Sequence, residues 1–245
     1  METKRPRRPV EAAFLFDIDN TLLDNDRVTA DLKGYLEREV GARYARRYWS
    51  IFEGLREQVG YADYLGALQR CRLEYPHALQ LLKVSSFLIN YPFANRLFPL
   101  SLDAIEHVQP WGPSIILSDG DVVFQPRKAE RSGLHDAVGG RVLIFIHKEL
   151  ELAEVERRFP ARHYVLIDDK IRILTAVKRR WKERVTTVFV RQGHYALDPQ
   201  ILSKYPPADV SIDRIGDLTG LGRRQLVPGK AGPGRRARKS SAVGR

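Results

Sequence analysis

Cysteine is almost absent: Cys71 stands alone among 245 residues. A single thiol excludes an intramolecular disulfide and any cysteine-based zinc cluster. Its surroundings, Leu68-Gln69-Arg70-Cys71-Arg72-Leu73, read as an ordinary helix surface, and a buried or half-buried structural Cys is expected rather than a nucleophile. No apolar run reaches the length of a membrane span. The basic N-terminal residues lead into a strand instead of a signal-peptide apolar segment. A soluble cytoplasmic protein with no membrane contact is the default expectation. No internal repeat is present.

Acidic residues are missing from one region. Residues 223–245 hold eight Lys or Arg and no acid, a net of +8, and residues 1–9 hold a net of +3. The whole chain carries +11, so the body between these ends is neutral and the basic pI belongs to the ends. The stretch Gly229-Lys230-Ala231-Gly232-Pro233-Gly234-Arg235-Arg236 has almost nothing to bury. A basic disordered tail over 223–245 and a basic segment over 1–11 are expected. Weak nucleic-acid contact through counterion release is open to such tails. A solvated terminus is the plainer reading, because no aromatic residue interleaves with the charges to stack on bases.

The body alternates strands and helices after a helical block. Residues 12–17 predict a buried strand. Residues 27–92 carry Leu, Tyr, Arg and Glu at helical spacing, with a helix opening at Thr29-Ala30-Asp31-Leu32 and one face continued by Leu36, Val40 and Tyr44. From Leu97 onward, apolar runs at 114–117, 141–146, 164–167, 186–190 and 208–212 predict strands. Helices are expected over 101–108, 125–133, 149–158 and 170–183, with a helix or turn over 214–221. Short continuous apolar strands separated by helices imply a doubly wound, Rossmann-like parallel sheet covered on both faces. The expected organisation is an α/β core over 12–26 and 93–222, with an α-helical cap over 27–92.

Three of these strands, and the first, end in polar residues. Phe14-Leu15-Phe16 runs into Asp17-Ile18-Asp19-Asn20-Thr21. Residues two apart in a strand share a face, so Asp17 and Asp19 are aimed into one crevice at the strand's C-terminal end. Two carboxylates there repel unless a cation lies between them or one holds a proton. Ser118-Asp119-Gly120-Asp121 follows the second strand, offering a hydroxyl and backbone N–H groups to phosphoryl oxygens. His147-Lys148 follows the third, and a Lys there neutralises a carboxylate and a bound phosphate together. Asp168-Asp169-Lys170 follows the fourth and supplies acids for an all-oxygen Mg²⁺ site.

This set resembles the haloacid dehalogenase superfamily in its phosphohydrolase branch. The family's four motifs occur in order as Asp17-Ile18-Asp19-Asn20-Thr21, Ser118, Lys148 and Asp168-Asp169, across roughly residues 12–222. The resemblance implies a Mg²⁺-dependent hydrolase of small phosphomonoesters that works through an aspartyl-phosphate. Asp17 is then the nucleophile. Asp19 is the general acid and base, and its main-chain carbonyl is a metal ligand. Ser118, Asp119 and Lys148 bind the phosphoryl group, and Asp169 with Asp168 completes the metal site. Lys128 competes for the third-motif role. Lys148 is preferred because it directly follows a strand, whereas Lys128 is expected on a solvated helix surface.

Other readings stay open on the sequence. A mutase of the same superfamily returns the phosphoryl group to substrate. Dehalogenation is disfavoured by Asp19, since a halide needs no proton. A protein of the same fold that works through its basic tails on nucleic acid, or a phosphatase tethered by them, is the reading from another class.

Overall fold

Among the described residues, six strands form one parallel sheet whose central strands are apolar on both faces. They are β1 (Val10–Phe16), β2 (Ser114–Asp119), β3 (Val142–Phe145), β4 (Ala161–Asp168), β5 (Val185–Val190) and β6 (Val210–Ile212). Their spatial order is β3-β2-β1-β4-β5-β6, and every neighbouring pair is parallel. Alternate residues of β1 divide between two cores: Ala12, Phe14 and Phe16 enter one, Ala13 and Leu15 the other. β4 does the same, with Val165 and Ile167 on one side and Tyr164 and Leu166 on the other. Burial on both faces is what a doubly wound sheet requires. The computed structural model describes residues 8–229.

The helices follow in chain order. Between β1 and β2 lie α1 (Asn25–Glu39), α2 (Ala42–Val59), α3 (Tyr64–Glu74), α4 (Leu81–Asn90) and α5 (Ser101–Val108). Next come α6 (Phe124–Arg131), α7 (Leu134–Ala137), α8 (Leu152–Arg158), α9 (Ile171–Trp181), α10 (Gly193–Leu197), α11 (Pro199–Leu202) and α12 (Arg223–Leu226). α8 and α9 contribute to the core containing Leu15, while the first four helices, α5 and α6 contribute to the core containing Phe16. Among the described residues, no helix is long and apolar enough to cross a membrane.

Four local expectations are corrected. The first helix starts at Asn25, because the Asp24 side chain accepts the Arg27 N–H and Asn20 Oδ1 accepts the N–H groups of Asn25 and Asp26. The face through Leu36, Val40 and Tyr44 is not continuous, since Gly41 at φ +87° breaks it and begins α2. Cys71 does not lie on a helix surface; it is fully buried within the helical block. Expected tail residues 223–227 also fold: α12 brings Leu226 and Val227 into the core. The rest of the expected tail from 230, and the basic segment before residue 8, lie outside the described residues.

The helical block enters and leaves the core at one place. Leu23 and Leu97 form an antiparallel bridge. The Asp24 N–H donates to Arg96 O at 2.8 Å, and the Phe98 N–H donates to Leu22 O at 3.0 Å. Beside this seam, Tyr91 Oη donates to Asp31 Oδ2 at 2.5 Å, and the Arg96 guanidinium bonds the same oxygen at 2.7 Å.

Candidate active site

The pairing register brings four strand ends level. Phe16 is opposite Ile116 on one side and Ile167 on the other. Asp17 follows Phe16, Ser118 lies two residues past Ile116, and Asp168 follows Ile167. The chain winds from β1 to β2 and β3, then returns to β4 on the opposite side of β1, so these ends flank the point where strand order reverses.

Asp17 is the focus of the cluster. Lys148 Nζ lies 2.5 Å from Asp17 Oδ1 and 2.6 Å from Asp168 Oδ2, and donates to Leu117 O at 3.2 Å. Ser118 Oγ donates to Asp17 Oδ1 at 3.3 Å and Thr21 Oγ1 to Asp17 Oδ2 at 3.4 Å. Thr21 Oγ1 also accepts the Asp169 N–H at 3.0 Å, tying the first and fourth motifs together. Asp17, Ser118, Lys148, Asp168 and Asp169 are all buried. Lys148 does not directly follow its strand; β3 ends at Phe145, and Lys148 opens a short 3₁₀ turn over Lys148–Leu150.

Charge and burial compete here. Burial pushes Asp17 up, but Lys148 and Lys170 outweigh it and hold the carboxyl below its usual range. Burial works against the Lys148 ammonium, yet Asp168, Asp17 and Asp119 keep it firmly protonated. Asp169 lies at the other extreme. Burial drives it well above the usual carboxylate range; Lys170 opposes this, while Asp168 and Asp17 add to it. Both Asp169 side-chain oxygens are buried without a hydrogen-bond partner.

Those two orphaned oxygens test whether a divalent cation suits the site. Carboxylate oxygens of Asp17, Asp168 and Asp169 lie within 4.8 Å of one another. Hard oxygen donors in this number and spacing match Mg²⁺ or a similar ion, and a cation would satisfy atoms that nothing else does. The residues fit the metal.

Asp19 is held apart from this cluster. Lys128 Nζ lies 2.5 Å from its Oδ1, and Gln125 Nε2 donates to its Oδ2 at 3.3 Å. Lys128 is not solvated, as its helical context suggested; it is 0% exposed. α6 begins just beyond the second-motif loop, and its inward face carries Phe124, Gln125, Lys128 and Ala129. Asp119 lies beside the cluster, and its Oδ1 accepts the Lys148 main-chain N–H at 2.7 Å. It caps the third-motif turn and borders the cleft.

A cleft of about 1130 Å³ opens above the cluster. Asp19, Asp119, Gln125 and Lys170 line its core side, Trp49, Phe52 and Arg56 its helical roof, and Tyr195 and Tyr205 its flank. Tyr195 is packed between the Arg56 guanidinium at 5.5 Å and Lys170 Nζ at 5.7 Å. Sequence reasoning gave no role to Gln125 or Lys170. The spacing of Gln125 and Lys128, three apart and so on one helix face directly after the second motif, was the signal that could have found that pair.

Parallel winding, level strand ends and a carboxylate–lysine cluster define a hydrolase architecture that known proteins share. A haloacid dehalogenase-like hydrolase of Burkholderia xenovorans LB400 is 62% identical, the match covering 87% of this chain and 100% of that one with a TM-score of 0.85. The chain belongs to the haloacid dehalogenase-like hydrolases. The HAD-hydrolase YfnB of Bacillus subtilis, whose structure is bound to magnesium, shares the fold at 18% identity and a TM-score of 0.59, covering 86% of this chain and 98% of that one. So does the L-2-haloacid dehalogenase of Xanthobacter autotrophicus with chloropropionic acid covalently bound, at 17% identity and a TM-score of 0.53, with the same coverage of 86% and 98%. No family model and no curated protein matches the sequence.

Proposed function

We propose that the chain is a divalent-metal-dependent hydrolase of phosphomonoesters. The observation that carries this reading is the separation of two carboxylates at one strand end. Asp17 is buried on Lys148 and Ser118, while Asp19 is held by Lys128 at the cleft wall. One is kept ionised as a nucleophile; the other faces the space where a leaving group lies.

The residues then act in two steps. An Asp17 oxygen attacks phosphorus, the P–O bond to the leaving group breaks, and the departing oxygen takes a proton from Asp19. Water next attacks the aspartyl-phosphate at phosphorus, gives its proton to Asp19, and releases phosphate while restoring Asp17. Lys148 and the Ser118 hydroxyl offset charge on the phosphoryl oxygens throughout. A divalent cation held by Asp17, Asp168 and Asp169 supplies further charge neutralisation when bound. The cleft leaves room for the remainder of the ester beneath a helical roof that screens it from water.

Phosphate release from a panel of phosphomonoesters, with Mg²⁺ and with EDTA, tests the reading. Halide release from 2-haloacids belongs in the same panel, because the fold is shared with dehalogenases. Mg²⁺-dependent phosphate release that Asp17→Asn abolishes supports the proposal. Halide release without phosphate release overturns it, and phosphoryl return to substrate in place of free phosphate assigns a mutase. Salt-sensitive nucleic-acid binding lost on deleting 230–245, with turnover unchanged, would add the tethering role proposed for the tail.

A further inference from the structure

Lys128 is the buried charge that the two steps above do not use. An isolated ammonium in a protein interior is costly. Here three groups offset it: Asp19 Oδ1 at 2.5 Å, Asn25 Oδ1 at 3.0 Å and the face of Phe124 at 5.1 Å. Asp19 keeps 19% of its side chain exposed while its lysine keeps none. The cation therefore lies behind the carboxylate, and the carboxylate's open side is toward the cleft.

Among the described residues, the other side-chain hydrogen bond to Asp19 comes from the same helix. Gln125, one turn earlier on α6, donates to Asp19 Oδ2 and also to Ser118 Oγ at 2.9 Å. Asn25, at the start of α1, accepts from Lys128 and donates through Nδ2 to Tyr64 Oη at 3.3 Å. Tyr64 Oη is 2.8 Å from Thr29 Oγ1, and its ring packs on Phe124 at 5.3 Å. Lys128 thus joins the Asp19 carboxylate to the first and third helices of the roof.

We propose that Lys128 is a positioning residue: with Gln125 it fixes the Asp19 carboxylate against the cleft wall and couples that orientation to the seating of the helical roof. The inference rests on the phosphohydrolase reading for what Asp19 does, but not for how Asp19 is held. Its loss falls on both steps that use Asp19, but only the first, protonation of the leaving oxygen, depends on the leaving group. Esters with poor leaving groups depend on that proton, whereas a nitrophenolate departs without it.

The test compares an alkyl phosphate with p-nitrophenyl phosphate in the Mg²⁺-loaded full chain. For Lys128→Met, kcat/KM on the alkyl ester, which reports the steps up to the aspartyl-phosphate, should fall about 10²-fold, in the range of general acid–base effects. On p-nitrophenyl phosphate the loss in kcat/KM should stay below about fivefold, and Lys128→Arg should recover part of the alkyl activity. Equal losses of kcat/KM on both esters overturn the proposal.

Two further readouts cover other outcomes. If Lys128→Met does not fold, Asp19→Asn is compared with Asp19→Asn/Lys128→Met, in which neither charge is left alone. Rates within about twofold support action through Asp19, and a further tenfold loss overturns it. A crystal structure of Lys128→Met or Lys128→Arg gives an arm independent of turnover. An Asp19 carboxylate turned off Gln125 and the cleft wall in the Met variant supports the proposal; one unmoved in every variant refutes it. Failure of the wild type to release phosphate from either ester sinks the phosphohydrolase reading and leaves Lys128 to be decided by that structure.

Discussion

Asp169→Asn should stabilise the metal-free protein near neutral pH while removing its response to Mg²⁺. Asp169 is fully buried, neither side-chain oxygen has a partner, and burial with two neighbouring carboxylates raises its pKa well above the usual value. A group with a raised folded-state pKa binds its proton more tightly in the native state. Its contribution to stability is complete below the unfolded value of about 3.9 and is lost as pH rises through the folded value. Each unit of upward displacement removes about 1.4 kcal/mol once pH exceeds both values. Asn keeps the shape without the charge, so the variant should not show that loss. A gain of about 1 kcal/mol corresponds to 2–4 °C in Tm for a domain of this size. Mg²⁺ at about a hundredfold excess over its Kd adds about 2.7 kcal/mol to the wild type, roughly 5–11 °C. Thermal unfolding at several pH values between 5 and about 8, in EDTA and across a Mg²⁺ titration, measures both terms. The reasoning is refuted if Asp169→Asn melts below the wild type in EDTA at the upper end of that range. Equal Mg²⁺ shifts in the two proteins refute it as well.

Other consequences are as direct. Asp17→Asn should abolish phosphate release while leaving the far-UV spectrum unchanged, since Ser118 and Thr21 can still bond an amide there. Lys148→Met leaves Asp17 and Asp168 buried without their cation, and urea unfolding should show a loss of about 3–5 kcal/mol that shrinks as pH falls. Gly193→Ala drives a methyl group into the Asn20 side chain at φ +73°, so about 1–3 kcal/mol should be lost, with reduced turnover because Asn20 shapes the first-motif turn.

Much of this was legible in the sequence because the chemistry sits where the apolar runs stop. β1, β2 and β4 each contain an unbroken apolar stretch, over 12–16, 115–117 and 164–167, and Asp17, Ser118 and Asp168-Asp169 mark where these stop. Register then follows from parallel winding, which sequence order and strand length nearly dictate. Lys128 shows what periodicity cannot supply. A lysine between Arg127 and Glu130 looks like a solvated face, and only the docking of α6 against the roof turns it inward. Gln125 and Lys170 were missed for a similar reason: they act on Asp19 and Asp17, distant in sequence and brought close by tertiary contact. The break at Gly41 was hidden by a hydrophobic pattern that two successive helices happen to share.

The bridge between Leu23 and Leu97 has a consequence for how this protein can change over evolutionary time. The helical block departs and returns through two backbone segments zipped side by side, so its end points are fixed regardless of what lies between them. Apart from Asn25 and Tyr64, which hold Lys128 in place, residues 25–90 can lengthen, shorten or be exchanged without altering the separation that the sheet requires. Such a cassette lets ligand preference drift while the strand-end chemistry stays fixed.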